Sequence, residues 1–251
     1  MPEQWDSYFC NVNDKLASVC LDLGIRDRVP DKSRPYLLWV WVYMQAPRPD
    51  GLSSHEEAEV LWKLEDKLTA ALEVRLDAIF VGRITTDGRR EFYYYLSQPP
   101  GDGSEISRAL HSFPEYEFDW GKKHDPGWEQ YFSVLCPSEE ELETIKNERV
   151  LETLEEHGDR LEQEREVRHW AYFKTARDRE TFVAGVRDLG YAVQSTSEDT
   201  KEPYPFQVCI GRTDRVDRDS INEIVFELFR LAKATNGLYD GWETEVVPST
   251  D

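Results

Sequence analysis

The groups with which this 251-residue chain could do chemistry are five histidines, four cysteines and a surplus of carboxylates. His169 stands out, because it lies in the alternating stretch "REVRHWAYFK" between Arg168 and Trp170. A general base needs a second polar group to orient its ring. Near the end of the chain, "NGLYDGWETEV" offers Asp240, flanked by Tyr239, Gly241 and Trp242. The competing reading of His169 is a half-buried histidine hydrogen-bonded within a sheet. A second pair, His124 and Asp125, sits in "KKHDPGWEQY". There Pro126 favours a turn and Asp125 can bond its own backbone, so turn chemistry accounts for the pair without a reaction.

The other histidines, His55, His111 and His157, are scattered and form no HExxH or His-x-x-x-His pair. Cys10, Cys20, Cys136 and Cys209 lie far apart with no CxxC, and three of them fall in apolar stretches where a thiol acts as a small hydrophobe. GxSxG, GxxxxGK[ST] and GxGxxG are missing too, which leaves hydrolase, kinase and dehydrogenase readings without a motif. No residue is therefore assigned to catalysis, and no metal or cofactor is expected. His169, Trp170, Tyr239, Asp240, Gly241 and Trp242 remain as candidates for binding, and an enzyme with a site around His169 and Asp240, or around His124 and Asp125, is the alternative.

Asp and Glu number 50 against 30 for Lys and Arg, a formal charge of −20, while 39% hydrophobic residues with 12% aromatics still suit a folded chain. Such a surface repels the phosphate backbone of nucleic acid and favours a protein partner with a basic segment. The start, "MPEQWDSYFCNVNDK", has no basic stretch leading into an apolar one, and no run of eighteen apolar residues occurs. A cytoplasmic protein is expected, in contact with neither membrane nor bare nucleic acid.

The C-terminal half is the more legible. Ser138 and Glu141 form a capping box ahead of Leu142, Ile145, Leu151 and Leu154 at helical spacing, a candidate connecting helix. "REVRHWAYFK" puts Val167, His169, Ala171 and Phe173 on one face of a strand and Arg168, Trp170, Tyr172 and Lys174 on the other. A helix at "DRETFVAGVRDLG", strands at "YAVQSTS" and "PFQVCIGR", a helix entered at Ser220 and Glu223, and a closing strand "LYDGWETEVV" follow. In that last strand, simple alternation puts Leu238, Asp240, Trp242, Thr244 and Val246 on one face and Tyr239, Gly241 and Glu243 on the other. At least one aromatic then packs against the helices, and Gly241 permits a bulge. The order β-α-β-β-α-β predicts a ferredoxin-like domain with both helices on one face of an antiparallel sheet.

The N-terminal half repeats the order after an extra strand, "KLASVCLDL". "PYLLWVWVYM" is a strand, "SSHEEAEVLWKLEDKLTAAL" a helix, "RLDAIFVGRITTDGRREFYYYLS" a hairpin turning at Asp87-Gly88, "SEISRALHSF" a helix and "EYEFDW" a strand. The fold class predicted is α+β, two tandem ferredoxin-like domains over 1–135 and 136–251, with the break near "GKKHDPGW". "WDSYF" and "WEQYF" share W-x-x-Y-F and read as equivalent lead-in segments that pack aromatics on their sheets. The strand "LLWVWVYM" is apolar on both faces: Leu38, Val40, Val42 and Met44 on one, Leu37, Trp39, Trp41 and Tyr43 on the other. Its second face must be covered by the extra strand and its neighbours, by the other domain or by a second copy in a homodimer; base stacking on RNA is disfavoured by the charge.

With "TLEEHGD", "VRHWAYF", "RETFVAGVRDLGYAV" and above all "YDGWETEV" in place, residues from about 140 to 247 resemble the bacterial family named regulator of ribonuclease E activity B. "GLSSHEEAEVLWKLED", "VGRITTDGRREFYYY" and "DPGWEQY" make the first 135 or so residues similar to the domain of unknown function 695 family. The first resemblance implies a ferredoxin-like half whose relatives bind ribonuclease E and restrain it by protein contact, without catalysis. This chain departs from that pattern in ending at "VVPSTD" where the family appends an acidic tail, and in carrying a whole domain in front.

Overall fold

A computed structural model describes residues 4–248; the tips of both ends, including the last residues of "VVPSTD", lie outside the described residues. The chain divides into two compact units, Met1–Pro137 and Ser138–Asp251.

The first unit runs β1 (Trp5–Val12), β2 (Lys15–Asp22), β3 (Tyr36–Tyr43), α1 (His55–Leu76), β4 (Ile79–Thr86), β5 (Arg89–Leu96), α2 (Ser104–Leu110) and β6 (Phe118–His124). Its antiparallel sheet has the order β1-β2-β4-β5-β3-β6. The last four strands with their two helices make the ferredoxin-like arrangement, and the β1-β2 hairpin extends the sheet beyond β4. Helix α1 starts at Ser54, whose side chain accepts from the Glu57 amide, and buries Leu61, Leu64, Leu68 and Leu72 on Leu38, Val40 and Phe92. The second unit runs α3 (Glu139–Glu156), β7 (Arg165–Phe173), α4 (Ala176–Asp188), β8 (Ala192–Glu198), β9 (Phe206–Asp214), α5 (Arg218–Ala234) and β10 (Gly237–Thr244), with sheet order β10-β7-β9-β8. It is the same ferredoxin-like arrangement with one more helix.

Several sequence expectations change. "WDSYFCNV" is itself a strand, β1, turning into β2 at Asn13-Asp14, two residue types that tolerate the positive φ of 51° and 62° found there. "GKKH" continues β6 rather than breaking it. Helix α3 is no bare connector: Leu151 and Leu154 join the core of the second unit. Helix α5 begins a turn earlier than Ser220, capped by Asp217, which accepts from the Ser220 amide.

The two W-x-x-Y-F segments are not equivalent lead-ins, since both belong to the first unit and meet there. The second one leads into a π-helical turn, Tyr131–Leu135. The Tyr8 hydroxyl donates to the Leu135 carbonyl at 3.0 Å, and the Tyr131 hydroxyl donates to the Asp22 carbonyl at 2.7 Å. Trp128, fully buried, stacks on Tyr95 with ring centroids 3.8 Å apart. This segment covers one end of the face that carries Leu37; Trp39 and Trp41 at the other end are half-buried, with Arg89 lying 4.6 Å over the Trp41 ring. Asp125 fixes the covering turn by accepting from the Tyr95 hydroxyl at 2.6 Å and from the Glu129 and Gln130 amides at 3.0 and 3.1 Å. Burial raises its pKa, but these donors outweigh burial and hold the carboxyl below its ordinary value.

Candidate functional site

The residues singled out from the sequence converge on one strand pair, β7 and the edge strand β10, of the second unit. Their antiparallel register pairs Tyr239 with Ala171 and Gly241 with Trp170, so Asp240 is an extra residue without a partner across the ladder. This bulge overturns the simple alternation expected for "LYDGWETEVV". One inserted residue shifts the phase, and Tyr239 and Trp242 both turn toward the helices, 3% and 8% exposed. Gly241 adopts φ +146°, a conformation that side-chain-bearing residues rarely take, although a Cβ there would meet no atom within 4 Å. The glycine is needed for its backbone freedom rather than for space.

His169 lies on the same buried face at 1% exposure. Its Nδ1 is 2.9 Å from the Tyr239 hydroxyl and its Nε2 has no hydrogen-bond partner. Asp240 is exposed at the bulge and does not orient the ring, so the pair considered for the alternative enzyme reading does not form, and His169 is instead hydrogen-bonded within the sheet. Tyr191 meets His169 edge-on at 5.8 Å, and Arg212 stacks 4.1 Å over Tyr191. Burial, helped by the Arg212 charge, lowers the His169 pKa to about 3. The imidazole is neutral at pH 7 and buried away from solvent.

Trp242 is tied into the helical layer. Its Nε1 donates to Asn147 Oδ1 at 2.8 Å, and Asn147 Nδ2 donates to Asn222 Oδ1 at 2.8 Å, joining β10, α3 and α5. Neither asparagine stands out in the sequence as a candidate. The signal available was a polar residue in the middle of the α3 stripe, between Ile145 and Leu151, which a buried position tolerates only with a partner.

Among the described residues the opposite face of this sheet carries no helix of its own unit, because α3, α4 and α5 all pack on the buried side. Trp170 lies there half-buried, next to Gly241 across the ladder, with Leu238 48% exposed beside Tyr172. Gln207 donates to the Tyr172 hydroxyl at 2.7 Å and accepts from Ser197 at 2.6 Å, so the polar groups around the aromatics are oriented. Arg168 lies between Glu166 at 3.6 Å and Glu243 at 3.7 Å, forming a charged border. Of the six candidates, then, His169, Tyr239 and Trp242 build the core; Trp170 and Gly241 lie on the helix-free face, and Asp240 projects at its edge. Residues 138–251 hold 27 acidic against 15 basic side chains, a balance of −12, so this face belongs to the more acidic half. Among the described residues no group of three or more His, Cys, Asp or Glu side chains could hold a metal ion, and no helix is long and apolar enough to cross a membrane.

Two ferredoxin-like units, one with a helix-free sheet face, define the architectural class. The chain belongs to the family of unknown function DUF695, whose model matches residues 3–136. Residues 144–244 match a second family model, described as regulator of ribonuclease activity B. No curated protein matches the chain. Among solved structures, it is similar to a protein of unknown function from Galdieria sulphuraria at 13% identity, over 84% of this chain and 99% of that one, with a TM-score of 0.23. It is also similar to a protein provisionally named a glycine cleavage system transcriptional repressor, at 12% identity over 84% and 98%, with a TM-score of 0.26. Neither likeness is strong enough to assign a fold or an activity.

Proposed function

We propose that this chain regulates a ribonuclease of the E type by protein contact in the cytoplasm, without catalysing a reaction, and that the helix-free face of the second unit makes the contact. The observation that carries the reading is the match of residues 144–244 to the regulator of ribonuclease activity B family. The buried setting of His169 favours contact over acid–base chemistry, since a catalytic base must reach substrate. Trp170, Tyr172 and Leu238 supply the anchors; Arg168, Glu166 and Glu243 border them, in the arrangement typical of hot spots within a polar rim. The acidic balance of this half suits a nuclease segment rich in Lys or Arg, with charge raising the encounter rate. Titration of the full chain with such a ribonuclease tests this: binding is expected, weakening as salt rises from low to physiological concentration. Absence of binding at low salt would remove the proposal.

A further inference from the structure

The first unit contains a cleft that its family match leaves without a role. Extension of the sheet by the β1-β2 hairpin leaves α1 covering only part of the helix-side face, and the uncovered step forms a hollow of about 1040 Å³. Trp5 stacks on Phe80 at 5.2 Å on its floor, and Ile25 and Val29 of the segment after β2 close one end. Around this apolar floor stand six carboxylates, Asp22, Asp31, Glu65, Asp66, Glu73 and Asp77, against the guanidinium groups of Arg28 and Arg83.

Part of this charge is already used. Arg34 holds Asp31 at 2.9 Å and Asp77 at 2.7 Å. Arg83 binds one oxygen of Glu65 at 2.6 Å, while the other oxygen, buried at the wall, has no hydrogen-bond partner. Asp66 and Glu73 are exposed on the helix face that lines the cleft and take part in no ion pair among the described residues. The C-terminal end of α1, where carbonyls present partial negative charge, opens at the same place, at Asp77 and Ala78. Two further aromatics are exposed on the elements that bound the hollow. Phe9, 65% exposed, shares the strand face of Trp5, and Trp62, 47% exposed, lies one turn before Glu65 and Asp66 on α1. A hollow with Trp5 and Phe80 on its floor and acids outside any ion pair on one wall is complementary to an extended segment that alternates apolar and cationic side chains.

We propose that this cleft is a docking site for a short Arg- or Lys-bearing segment of a partner protein. Apolar side chains of the segment lie on Trp5 and Phe80, and its cationic heads reach Asp66 and Glu73. The proposal concerns the first unit alone and stands whether or not the second unit regulates a ribonuclease.

The experiment uses the full chain and a fluorescent alternating Arg–Leu peptide, with an alternating Glu–Leu peptide as the reverse charge. The Asp66→Lys, Glu73→Lys double variant changes two exposed helix positions and leaves the core intact. It is expected to weaken Arg–Leu binding roughly tenfold or more, while Glu105→Lys on α2 changes it less than about twofold. Circular dichroism of both variants should match the unaltered chain. Equal weakening by Glu105→Lys would mean that general acidity, not the cleft, attracts the peptide, and would overturn the proposal. So would equally tight binding of the Glu–Leu peptide, undiminished binding to the double variant, or displacement by spermidine at concentrations comparable with the peptide, which would make the cleft a polyamine site.

Discussion

The two units share one order of strands and helices and differ in what lies on the far side of their sheets. In the first, the chain folds back so that Trp128 and Tyr131 cover Leu37 and Tyr95, and a hairpin widens the sheet on the other side into a cleft. The second spends its extra element differently, adding α3 to the side already covered by α4 and α5 and leaving Trp170, Tyr172 and Leu238 facing away from every helix of the unit. The same topology thus leads to a cleft on the helix side in one case and a flat face on the opposite side in the other. Function in such folds depends on which surface the additions leave uncovered, not on the shared core.

The comparison can be broken most forcefully by removing what closes each unit. Trp128→Ala deletes a fully buried indole stacked on Tyr95 and should cost the first unit about 3–5 kcal/mol. Arg165→Ala should cost the second unit a similar amount, about 3–5 kcal/mol, because the buried Asp159 carboxylate loses its two-point partner. Urea unfolding of the full chain checks both. If the units are separate cores, each substitution moves one transition and leaves the other in place, whereas a shift of both together would contradict the division.

Acid sharpens the comparison at a smaller scale. In the folded second unit His169 has its pKa lowered to about 3, against 6.5 for an ordinary histidine. As pH falls below 6.5 the unfolded chain takes up a proton that the folded state refuses, so stability drops by up to about 1.4 kcal/mol per pH unit until the folded pKa is reached. The three histidines of the first unit, His55, His111 and His124, are exposed. The depressed carboxyl of Asp125 works at lower pH: its contribution is present above the ordinary Asp value of about 3.9 and is lost as pH falls further. Unfolding at pH 7, 6 and 5 should therefore weaken the second transition first, and His169→Phe should flatten that dependence. The smallest effect belongs to the bulge. Gly241→Ala introduces a side chain where space is free but φ is +146°, and should cost about 1 kcal/mol without altering the packing of Trp242.

How much of this was legible depended on whether a signal was local. The order of elements in the second unit follows from caps and periodicity, as at Ser138 and Glu141, where the box forms as written. A bulge at Gly241 was also readable, since only glycine relaxes there. Its consequence was not: a single unpaired residue reverses the facing of everything on one side of it, so alternation placed Tyr239 and Trp242 on opposite faces when both are inside. The role of W-x-x-Y-F at Trp128 was hidden for a different reason, because the partner ring, Tyr95, is distant in the chain and the pattern of the covering segment is neither helical nor strand-like. At the site, alternation in β7 correctly separated His169 from Trp170. The pairing of His169 with Tyr239 instead of Asp240 depends on the bulge and could not precede it.

The most direct test of the central claim is cleavage of a single-stranded RNA by a ribonuclease of the E type, measured with an excess of this protein and of its Trp170→Glu variant. Substitution on the helix-free face leaves the buried layer of His169, Tyr239 and Trp242 intact, and the two proteins should have the same Tm. The account predicts that the unaltered protein slows cleavage and that the variant largely fails to do so. Equal slowing by both, or no slowing by either, would contradict it.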